Sequence, residues 1–401
     1  MNILFLNLLK FKSFEDSNIY TDLLREFIKK GHNVYAVCPS ERRNKEKTCL
    51  TAFGNSAILS VKTFNIQKTN IFEKGIGMLL IKRQFIKAIK KYFKGKTFDL
   101  ILYPTPPITL YGVVKYFKRK NSSRTYLMLK DIFPQNAVDL GLMKKTGLKG
   151  LLYRYFRKQE RKLYAISDKI GCMSQANVEY VLEHNSFVEP NKIEVFPNCI
   201  DIKKVEVSDD EKIDIKKKYN LPFDKKIFVY GGNLGKPQGI PFIIDCMKAE
   251  SNNENAFFLI VGDGTEYSKL EKYVAESNQK NLMLLKRLPS NEFDRVLACC
   301  DVGLIFLDYR FTIPNFPSRL LSYMQASLPV LACTDKATDI GKVIVKSGFG
   351  WACESNEIDD FCKMVKKIEL IDLKEYKYKS YDYLIKEYNV KDKINIIEDL
   401  L

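Results

Sequence analysis

The strongest constraint on the fold is the alternation of strand-like and helix-like segments along the whole chain. Short apolar runs such as Asn2 to Leu8 and Phe98 to Tyr103 have the length of strands, and segments with helical spacing follow them. Helices between consecutive strands act as crossover connections, so the strands run parallel and helices cover the sheet. The pattern therefore predicts an α/β protein.

The strand and helix pattern occurs twice. The first series closes with a strand from Lys192 to Phe196, and a second series begins with a strand from Lys225 to Tyr230. A polar, charged segment from Asp201 to Lys218 joins them. A domain usually takes ~100–200 residues, so we predict two Rossmann-like, doubly wound domains, residues 1–200 and residues 201–376. Ligands of such sheets bind at the carboxyl ends of strands, in a cleft between the facing domains.

Charge is divided unequally between the two halves. Residues 1–200 contain 35 Lys and Arg against 16 Asp and Glu, a net charge of +19, whereas residues 201–401 carry −2. A field of one sign in one half indicates an anionic partner, either nucleic acid, an anionic membrane surface or a pyrophosphate-bearing acceptor. A solvated surface without a partner is the alternative.

Two predicted helices, 81–93 and 148–164, hold much of this positive charge. Each combines basic residues with apolar residues at helical spacing, which is typical of helices that lie on anionic membranes. In the second helix the apolar positions are Leu148, Leu151, Leu152, Tyr155, Phe156 and Leu163. The alternative is that the apolar faces belong to the domain core. No nucleic-acid-binding motif is present, so we expect a membrane partner and no nucleic acid.

Two loops in the second half have the features of phosphate-binding loops. In the first, Gly231 to Gly239, glycines follow a strand and precede a helix, so the backbone can approach an anion, and Lys236 adds a positive charge. The second, Ile313 to Met324, starts a helix at Pro317 or Ser318, where the amides of Ser318, Arg319 and Leu320 suit a diphosphate. Each loop alone is equally explained by an ordinary turn or helix cap.

Metal and membrane-spanning classes are disfavoured. The chain has two histidines and ten cysteines without a CxxC pair, so zinc-ligand spacing is absent, and we expect no metal or cofactor. Apolar runs all fall short of the ~18 residues that a spanning helix needs. The first residues lack the features of a signal peptide. These features predict a cytoplasmic protein, peripheral to the inner face of the cell membrane.

Several motifs, in order along the chain, resemble glycosyltransferase family 4, and the likeness covers nearly the whole chain. They are Gly31-His32-x-Val34, the segment from Glu160 to Ser174, Pro197-Asn198-Cys199-Ile200-Asp201, Val261-Gly-Asp-Gly264 and Pro317-Ser-Arg-Leu-Leu-Ser-Tyr-Met324. The segments Lys130 to Gly141 and Gly232 to Gly239 are similar to a surface-polysaccharide branch that includes N-acetylfucosaminyltransferases. Individually each motif is loose, but their order is specific.

The resemblance implies a GT-B fold, retention of anomeric configuration and a donor bound mainly by the C-terminal domain. It also implies that a C-terminal helical segment, residues 377–401, crosses back to the first domain. The predicted donor-binding residues are Gly232, Asn233, Lys236, Gln238, Gly239, Arg287, Pro317, Ser318, Arg319, Leu320 and Ser322. The substrate would be a nucleotide-sugar donor, with UDP as the expected nucleotide, bound without a metal.

The chain departs from the family pattern at its charged donor contacts. The family's Arg and Lys in the first phosphate loop fall on Asn233 and Gln238, so we expect Lys236 to supply the positive charge. The family's paired glutamates fall on Pro314 and Ser322, which puts ribose recognition in doubt.

Asp131 is the predicted catalytic residue, a carboxylate that follows a strand and faces the transferred sugar or the acceptor hydroxyl. A turn cap before Pro134 is the other interpretation of Asp131. The acceptor is expected to be a polyprenyl-diphosphate-linked sugar, in capsule or O-antigen synthesis. Two other functions remain open, a nucleotide-sugar epimerase and a non-catalytic nucleotide-sugar-binding subunit of an assembly complex.

Overall fold

The computed structural model describes residues 1–66 and 71–400, which form two compact units. The first unit contains Met1–Asp201 together with the C-terminal residues from Val390 onward, and the second contains Ile202–Asn389. Each unit is built on its own sheet with helices packed against it. The predicted α/β class with two Rossmann-like units is confirmed.

The first unit has an eight-stranded sheet in the order β3-β4-β2-β1-β5-β6-β7-β8. Its strands are β1 (Asn2–Leu6), β2 (Asn33–Glu41), β3 (Cys49–Phe53), β4 (Ser56–Thr63), β5 (Leu100–Pro104), β6 (Arg124–Leu129), β7 (Lys169–Cys172) and β8 (Ile193–Val195). Only the β3–β4 pair is antiparallel. Every residue of β5 is buried, as expected for a central parallel strand that helices cover on both faces.

Helices of the first unit pack on both sides of this sheet. They are α1 (Ile19–Lys29), α2 (Ile71–Tyr92), α3 (Tyr111–Asn121), α4 (Gln135–Asp139), α5 (Gly147–Ile166) and α6 (Gln175–His184). The side chain of Asn18 caps α1 by accepting from the amides of Tyr20 and Thr21. Leu23, Leu24 and Phe27 of α1 are buried against the sheet.

The second unit has a six-stranded, fully parallel sheet in the order β11-β10-β9-β12-β13-β14. Its strands are β9 (Lys226–Asn233), β10 (Ala256–Asp263), β11 (Leu282–Lys286), β12 (Val302–Phe306), β13 (Val330–Thr334) and β14 (Gly350–Glu354). The strands after β9 extend the sheet first to one side and then, from β12, to the other. The chain thus reverses its direction of sheet growth between β9 and β12, and such a switch point opens a crevice at the carboxyl ends of the strands.

Helices complete the second unit. They are α7 (Asp209–Lys218), α8 (Ile240–Ala249), α9 (Tyr267–Ser277), α10 (Ser290–Leu297), α11 (Arg319–Gln325), α12 (Ile340–Lys346), α13 (Ile358–Glu369) and α14 (Lys374–Tyr388). The core between the sheet and its helices is aromatic and aliphatic, with Phe228, Phe258, Phe306 and Phe361 all buried. The sheet therefore gives the loops at its carboxyl edge a rigid base.

The last helix, α15 (Val390–Glu398), belongs to the first unit. The amide of Val390 donates to the carbonyl of Ile200 at 3.0 Å, and His32 Nε2 lies 2.8 Å from Glu398 Oε1. Helix α14 stays in the second unit, where the Ser380 hydroxyl donates to the Leu328 carbonyl. The returning segment thus begins at Val390 in the structure, whereas the sequence analysis starts it at residue 377.

Two further features differ from the sequence analysis. Strands β3 and β4 occupy a stretch for which the sequence analysis predicts no element, and β14 adds an edge strand to the second sheet. Gly54, at φ +59°, makes the tight turn between β3 and β4. Within the described ranges, 1–66 and 71–400, helices that combine the length and the apolar character needed to cross a bilayer are absent.

Candidate functional site

The loop between β9 and α8 lies at the switch point of the second sheet. Gly231 and Gly232 end the strand, and both positions require glycine. A Cβ atom on Gly231 would lie 2.1 Å from Cζ of Phe293, and Gly232 has φ +131°. Because neither glycine has a side chain, the loop backbone can pack closely against its neighbours. A ligand can for the same reason approach its peptide groups.

Gln238 stabilises the loop from inside. Its side-chain oxygen accepts from Asn233 Nδ2 at 2.9 Å and from the Gly235 amide at 3.1 Å, and the residue is buried. Gly239, at φ +62°, then starts α8. The carboxamides of Asn233 and Gln238 thus bond to each other, at the two positions where the family pattern has cationic side chains.

Tyr323, on α11, ties the same loop to the neighbouring strand. Its hydroxyl accepts from the Gly231 amide at 2.9 Å and donates to the Leu304 carbonyl of β12 at 2.9 Å. The ring is fully buried over Gly303, where a Cβ atom would lie 2.5 Å from it. Helix α11 is therefore held in a fixed position next to the end of β9.

Arg319 begins α11 and directs its guanidinium group towards this junction. Its Cζ lies 4.4 Å from the centroid of the Tyr230 ring, and a Cβ atom on Gly232 would lie 3.5 Å from Arg319 Nη2. Nη1 is buried without a hydrogen-bond partner, and no carboxylate in the described part of the chain pairs with this arginine. A guanidinium remains protonated in proteins, so the site holds a positive charge that faces the Tyr230 ring instead of a carboxylate among the described residues.

One carboxylate close to this loop, that of Asp308 beside Gly239, is already neutralised. Asp308, after β12, accepts from Arg310 Nε at 2.8 Å and from Nη2 at 2.7 Å, while its own amide donates to the Pro237 carbonyl at 2.9 Å. Lys236 is exposed, and its side chain has no partner among the described residues. The positive charges of Arg319 and Lys236 thus remain available to an anion.

The second predicted loop lies beside the first. Pro317 is partly buried and Ser318 is exposed just before α11, and the Leu320 amide already donates to the Pro317 carbonyl at 3.2 Å. Leu320 is therefore less free to bind a phosphate than the sequence predicts. Ser322 is partly buried one turn further along α11.

Arg287 lies apart from these loops. It follows β11, the edge strand that β10 separates from β9, and its side chain is exposed. Its donor-binding role stays a prediction.

Asp131 lies at the carboxyl end of β6 in the first unit. Both carboxylate oxygens accept from Asn136 Nδ2, at 2.8 and 2.7 Å, and the Asp131 carbonyl accepts from the Thr105 hydroxyl at 3.2 Å. No cation of the described residues forms an ion pair with it. Burial raises the pKa of Asp131 to about 6, against the opposing effects of the Ile132 amide and Asn136.

Lys130, the neighbour of Asp131, points elsewhere. Its Nζ lies 3.4 Å from the Phe196 carbonyl and 5.2 Å from the centroid of the Phe196 ring. Burial lowers the pKa of Lys130 to about 8. The Lys130 ammonium therefore does not neutralise the Asp131 carboxylate.

The sequence analysis missed three residues that shape these sites. Tyr230 supports the Arg319 guanidinium, Tyr323 connects the two loops, and Asn136 holds Asp131. Tyr323 lies within the motif from Pro317 to Met324, so its place in that motif was the available signal. Asn136 likewise lies within the quoted segment Lys130 to Gly141, whereas for Tyr230 the role arises from a contact with the side chain of Arg319 on a distant helix.

Two family models match the chain in succession. The model described as "Glycosyltransferase Family 4" matches residues 17–204, and the model described as "Glycosyl transferases group 1" matches residues 211–387. Their boundary falls close to the junction of the two structural units at Asp201 and Ile202.

Relatives with a described role are distant in sequence. The chain is 26% identical over 308 residues to the "Probable glycosyltransferase WbjE" of Pseudomonas aeruginosa, which covers 76% of this chain and 74% of that protein. It is 25% identical over 207 residues to an Escherichia coli "UDP-Gal:alpha-D-GlcNAc-diphosphoundecaprenol alpha-1,3-galactosyltransferase", about half of each chain (50% and 51%).

A solved structure matches the whole chain. Sucrose-phosphate synthase from Thermosynechococcus elongatus is similar with a TM-score of 0.77 at 14% identity, and the match covers 100% of this chain and 98% of that one. At this identity the likeness concerns the fold alone.

Proposed function

Because the chain belongs to the group 1 and family 4 glycosyltransferases, which have the GT-B fold, we propose that it moves a sugar from a nucleoside diphosphate to a lipid-linked acceptor. The transferase class is established by the two family models and by the relatives. The donor, the acceptor and the stereochemical course belong to the proposal.

The observation that carries the proposal is the partly buried guanidinium of Arg319, whose Nη1 is buried without a hydrogen-bond partner. A buried charge without a counter-charge destabilises a protein unless a ligand neutralises it. Here the charge lies beside Gly232, at the carboxyl end of β9 and next to the switch point of the sheet. A diphosphate would supply the missing negative charge, and bidentate hydrogen bonds make arginine a common ligand of phosphate groups.

The proposed donor and acceptor draw support from the name of one relative. The Escherichia coli relative is named for UDP-galactose and for a diphosphoundecaprenol-linked sugar. We therefore propose a UDP-sugar donor, with an N-acetylated deoxy-amino sugar as one form of it, and a polyprenyl-diphosphate-linked acceptor in capsule or O-antigen synthesis. Retention of anomeric configuration, which the family resemblance implies, completes the proposed reaction.

The leaving diphosphate is stabilised by side chains and peptide groups of the second unit in this proposal. Arg319 and Lys236 neutralise the charge that develops on the departing UDP, which is the electrostatic contribution that glycosyl transfer needs most. No resident metal is required for that role, so we expect turnover to persist in the presence of EDTA.

Asp131 serves the acceptor in this proposal. The carboxylate accepts a hydrogen bond from the attacking hydroxyl, and its pKa of about 6 leaves it ionised at neutral pH. Asn136 holds both oxygens and thereby fixes the direction of the carboxyl group. Because the acceptor is lipid-linked, we expect the protein to work at the inner face of the cell membrane.

Calorimetry with UDP, UMP and uridine tests the donor site. We expect UDP to bind at least about tenfold more tightly than UMP, because the second phosphate reaches the Arg319 guanidinium, and uridine to bind weakest. EDTA should leave the UDP affinity unchanged. Equal affinities for the three ligands would contradict the proposed diphosphate contacts. If the protein bound none of UDP, GDP and dTDP, the proposed nucleotide-sugar donor site would be wrong.

A non-catalytic sugar-nucleotide-binding subunit is the second candidate. Pro314 and Ser322 stand where the family pattern has two glutamates, and neither side chain can carry their negative charge. The two functions separate in one measurement, because a binding subunit would bind UDP but release no UDP from a UDP-sugar when membranes with lipid-linked acceptors are added.

A further inference from the structure

Helix α5 exposes apolar side chains on a surface where the core does not need them. Its inner side is buried, with Leu163 and Tyr164 at 0% and 1% exposure. On its outer side Leu151 is 56% exposed, Leu152 51% and Tyr155 41%. Exposing several large apolar groups together is unfavourable in water and marks an interaction surface.

The exposed charged residues of α5 and of the segment just before it are positive among the described residues. Arg154, Lys158 and Arg161 are exposed on the same helix, and Lys144 and Lys145 precede it. The single carboxylate of α5, Glu160, is buried and accepts from Arg157 Nη1 at 2.7 Å and from the Tyr164 hydroxyl at 2.8 Å. The side chains of Leu148 and Lys149 lie outside the described residues.

A groove of about 570 Å³ runs along the basic side of α5. Tyr153, Arg154, Lys158, Arg161, Lys162 and Phe187 line it. Arg161 stacks on the partly exposed Phe187, with its Cζ 4.7 Å from the ring centroid. The groove therefore places cationic groups, which can bind a phosphate, beside the exposed apolar side chains of α5.

Helix α2 is also basic, but it does not expose its apolar stripe. Its apolar residues Ile81, Phe85 and Ile89 are buried at 0–1% exposure and form part of the core. Lys87 and Lys90 are exposed on its other face. The membrane prediction made from sequence for both helices therefore finds structural support in α5, whereas the apolar stripe of α2 is explained by packing.

We propose that the outer face of α5, formed by Leu151, Leu152, Tyr155, Arg154, Lys158 and Arg161, docks the protein onto an anionic phospholipid bilayer. The proposal rests on the proposed function, since a lipid-linked acceptor is presented at such a surface. Positive charge alone would also suit nucleic acid, but exposed leucines and a tyrosine match the interfacial region of a membrane, where aromatic and basic groups are favoured. Each basic residue near an anionic surface strengthens binding about fivefold.

Vesicle co-sedimentation of the full chain tests the docking face. The vesicles contain phosphatidylglycerol mixed equally with phosphatidylcholine, and pure phosphatidylcholine vesicles provide the neutral comparison. We expect wild-type protein to bind the anionic vesicles and to lose at least about tenfold in binding with either Leu151→Gln/Leu152→Gln or Arg154→Gln/Lys158→Gln.

Matched variants elsewhere control for charge and for surface hydrophobicity. Lys87→Gln/Lys90→Gln removes the same charge from α2, and Val345→Gln/Leu370→Gln removes two exposed apolar groups from the second unit. Both controls should bind anionic vesicles within about twofold of wild type. Binding of the α5 variants equal to wild type, no wild-type binding to anionic vesicles, or duplex DNA binding lost through the same α5 changes would each overturn the proposal.

UDP affinity separates this proposal from the proposed function. All four variants should bind UDP as wild type does, because none of the changed residues belongs to the donor loops. Normal UDP binding together with absent vesicle binding would refute the docking face alone, whereas absent UDP binding in wild type would refute the proposed donor site alone.

Discussion

The carboxyl edges of the two sheets have the same backbone plan but opposite unbalanced charges. In the second unit, Arg319 lies beside Gly232 with its Nη1 buried, and no carboxylate of the described residues pairs with it. In the first unit, the carboxyl group of Asp131 is held by Asn136 without a cationic partner among the described residues. Both side chains lie at the carboxyl ends of parallel strands. The positive charge in the second unit suits phosphate binding, whereas the carboxylate in the first unit suits a hydrogen bond with a hydroxyl group.

The contrast depends on where neighbouring charges point. Lys130 directly precedes Asp131 but lies against Phe196, and Asp308 lies near the glycine loop but is paired with Arg310. Lys130 therefore does not neutralise Asp131 in the first unit, and Asp308 does not neutralise Arg319 in the second. A site that leaves one charge uncompensated favours a ligand or transition state that supplies the other.

Asp131→Asn should have the largest effect on catalysis. Asparagine keeps the size of the side chain and can still accept from Asn136, but it cannot take a proton from the acceptor hydroxyl. We expect turnover to fall by about 100-fold or more, in the range of general base catalysis. The turnover is measured as the release of UDP from a UDP-sugar in the presence of a membrane-bound acceptor.

Calorimetry of Asp131→Asn supplies the control. UDP affinity should stay within about twofold of wild type, because Asp131 belongs to the first unit and the proposed diphosphate contacts belong to the second. Full turnover of this variant would assign Asp131 to the alternative role, a turn residue before Pro134, and the contrast between the two edges would lose its catalytic meaning.

Arg319→Met should have the next largest effect, on the donor. Methionine retains an unbranched apolar side chain at this position but removes the positive charge and the guanidinium hydrogen-bond donors. We expect UDP affinity to fall by about 30- to 100-fold, equivalent to roughly 2–3 kcal/mol for lost charge-assisted hydrogen bonds. Calorimetry with UDP and uridine measures the change.

Two comparisons make the result specific to the diphosphate. Uridine affinity should be the same in wild type and Arg319→Met, since uridine has no phosphate, and Arg319→Lys should recover part of the UDP affinity by restoring the charge. A variant that loses UDP and uridine binding equally would instead have a damaged fold, and unchanged UDP affinity would contradict the role of Arg319.

The raised pKa of Asp131 predicts a stability effect of opposite direction to the effect on activity. Folding favours the protonated acid, so ionisation destabilises the folded protein as pH rises from the ordinary aspartate value of 3.8 through about 6. Above that pH, Asp131→Asn should raise the free energy of unfolding by about 1–2 kcal/mol, a value reduced for partial exposure. Below about pH 4 the difference should vanish.

Thermal unfolding across this pH range measures the effect. The exposed Asp224 provides a matched control, because Asp224→Asn should leave the unfolding temperature nearly unchanged at every pH. Turnover of the wild-type enzyme should fall to half near pH 6 on the acid side, since the ionised carboxylate is the active form. A destabilised Asp131→Asn variant at neutral pH would contradict the assigned burial of an unpaired carboxyl group.

The fold could be predicted from sequence largely because each unit repeats one local rule. Apolar runs of strand length, separated by helical segments, define parallel sheets, and the glycines of the β9–α8 loop mark the switch point. The strands β3 and β4 escaped prediction because β3 lies on the edge, where all but one of its residues are exposed, so it lacks a continuous apolar run. The start of the returning segment depends on the packing of α14, which local sequence does not specify.

The site was predictable in place but not in detail. The sequence located both loops and Asp131, since glycines and a carboxylate after a strand are local features. It assigned the positive charge to Lys236, because Lys236 lies inside the first loop. Arg319 was also among the predicted donor-binding residues, but its position beside the first loop depends on contacts of α11 with Tyr230 and of Tyr323 with Gly231. Contacts between distant segments are not visible in a single sequence.

Lys236→Ala therefore should have the smallest effect on the donor. Its side chain is exposed, so water and salt screen its attraction to a phosphate, and we expect only about a threefold loss of UDP affinity at physiological salt. The loss should shrink further as salt is added, whereas the loss in Arg319→Met should persist. Lys280→Ala, which removes an exposed lysine just before β11 at the opposite edge of the sheet, should leave UDP affinity unchanged. A loss in Lys236→Ala that equals the loss in Arg319→Met would return the main cationic role to the glycine loop.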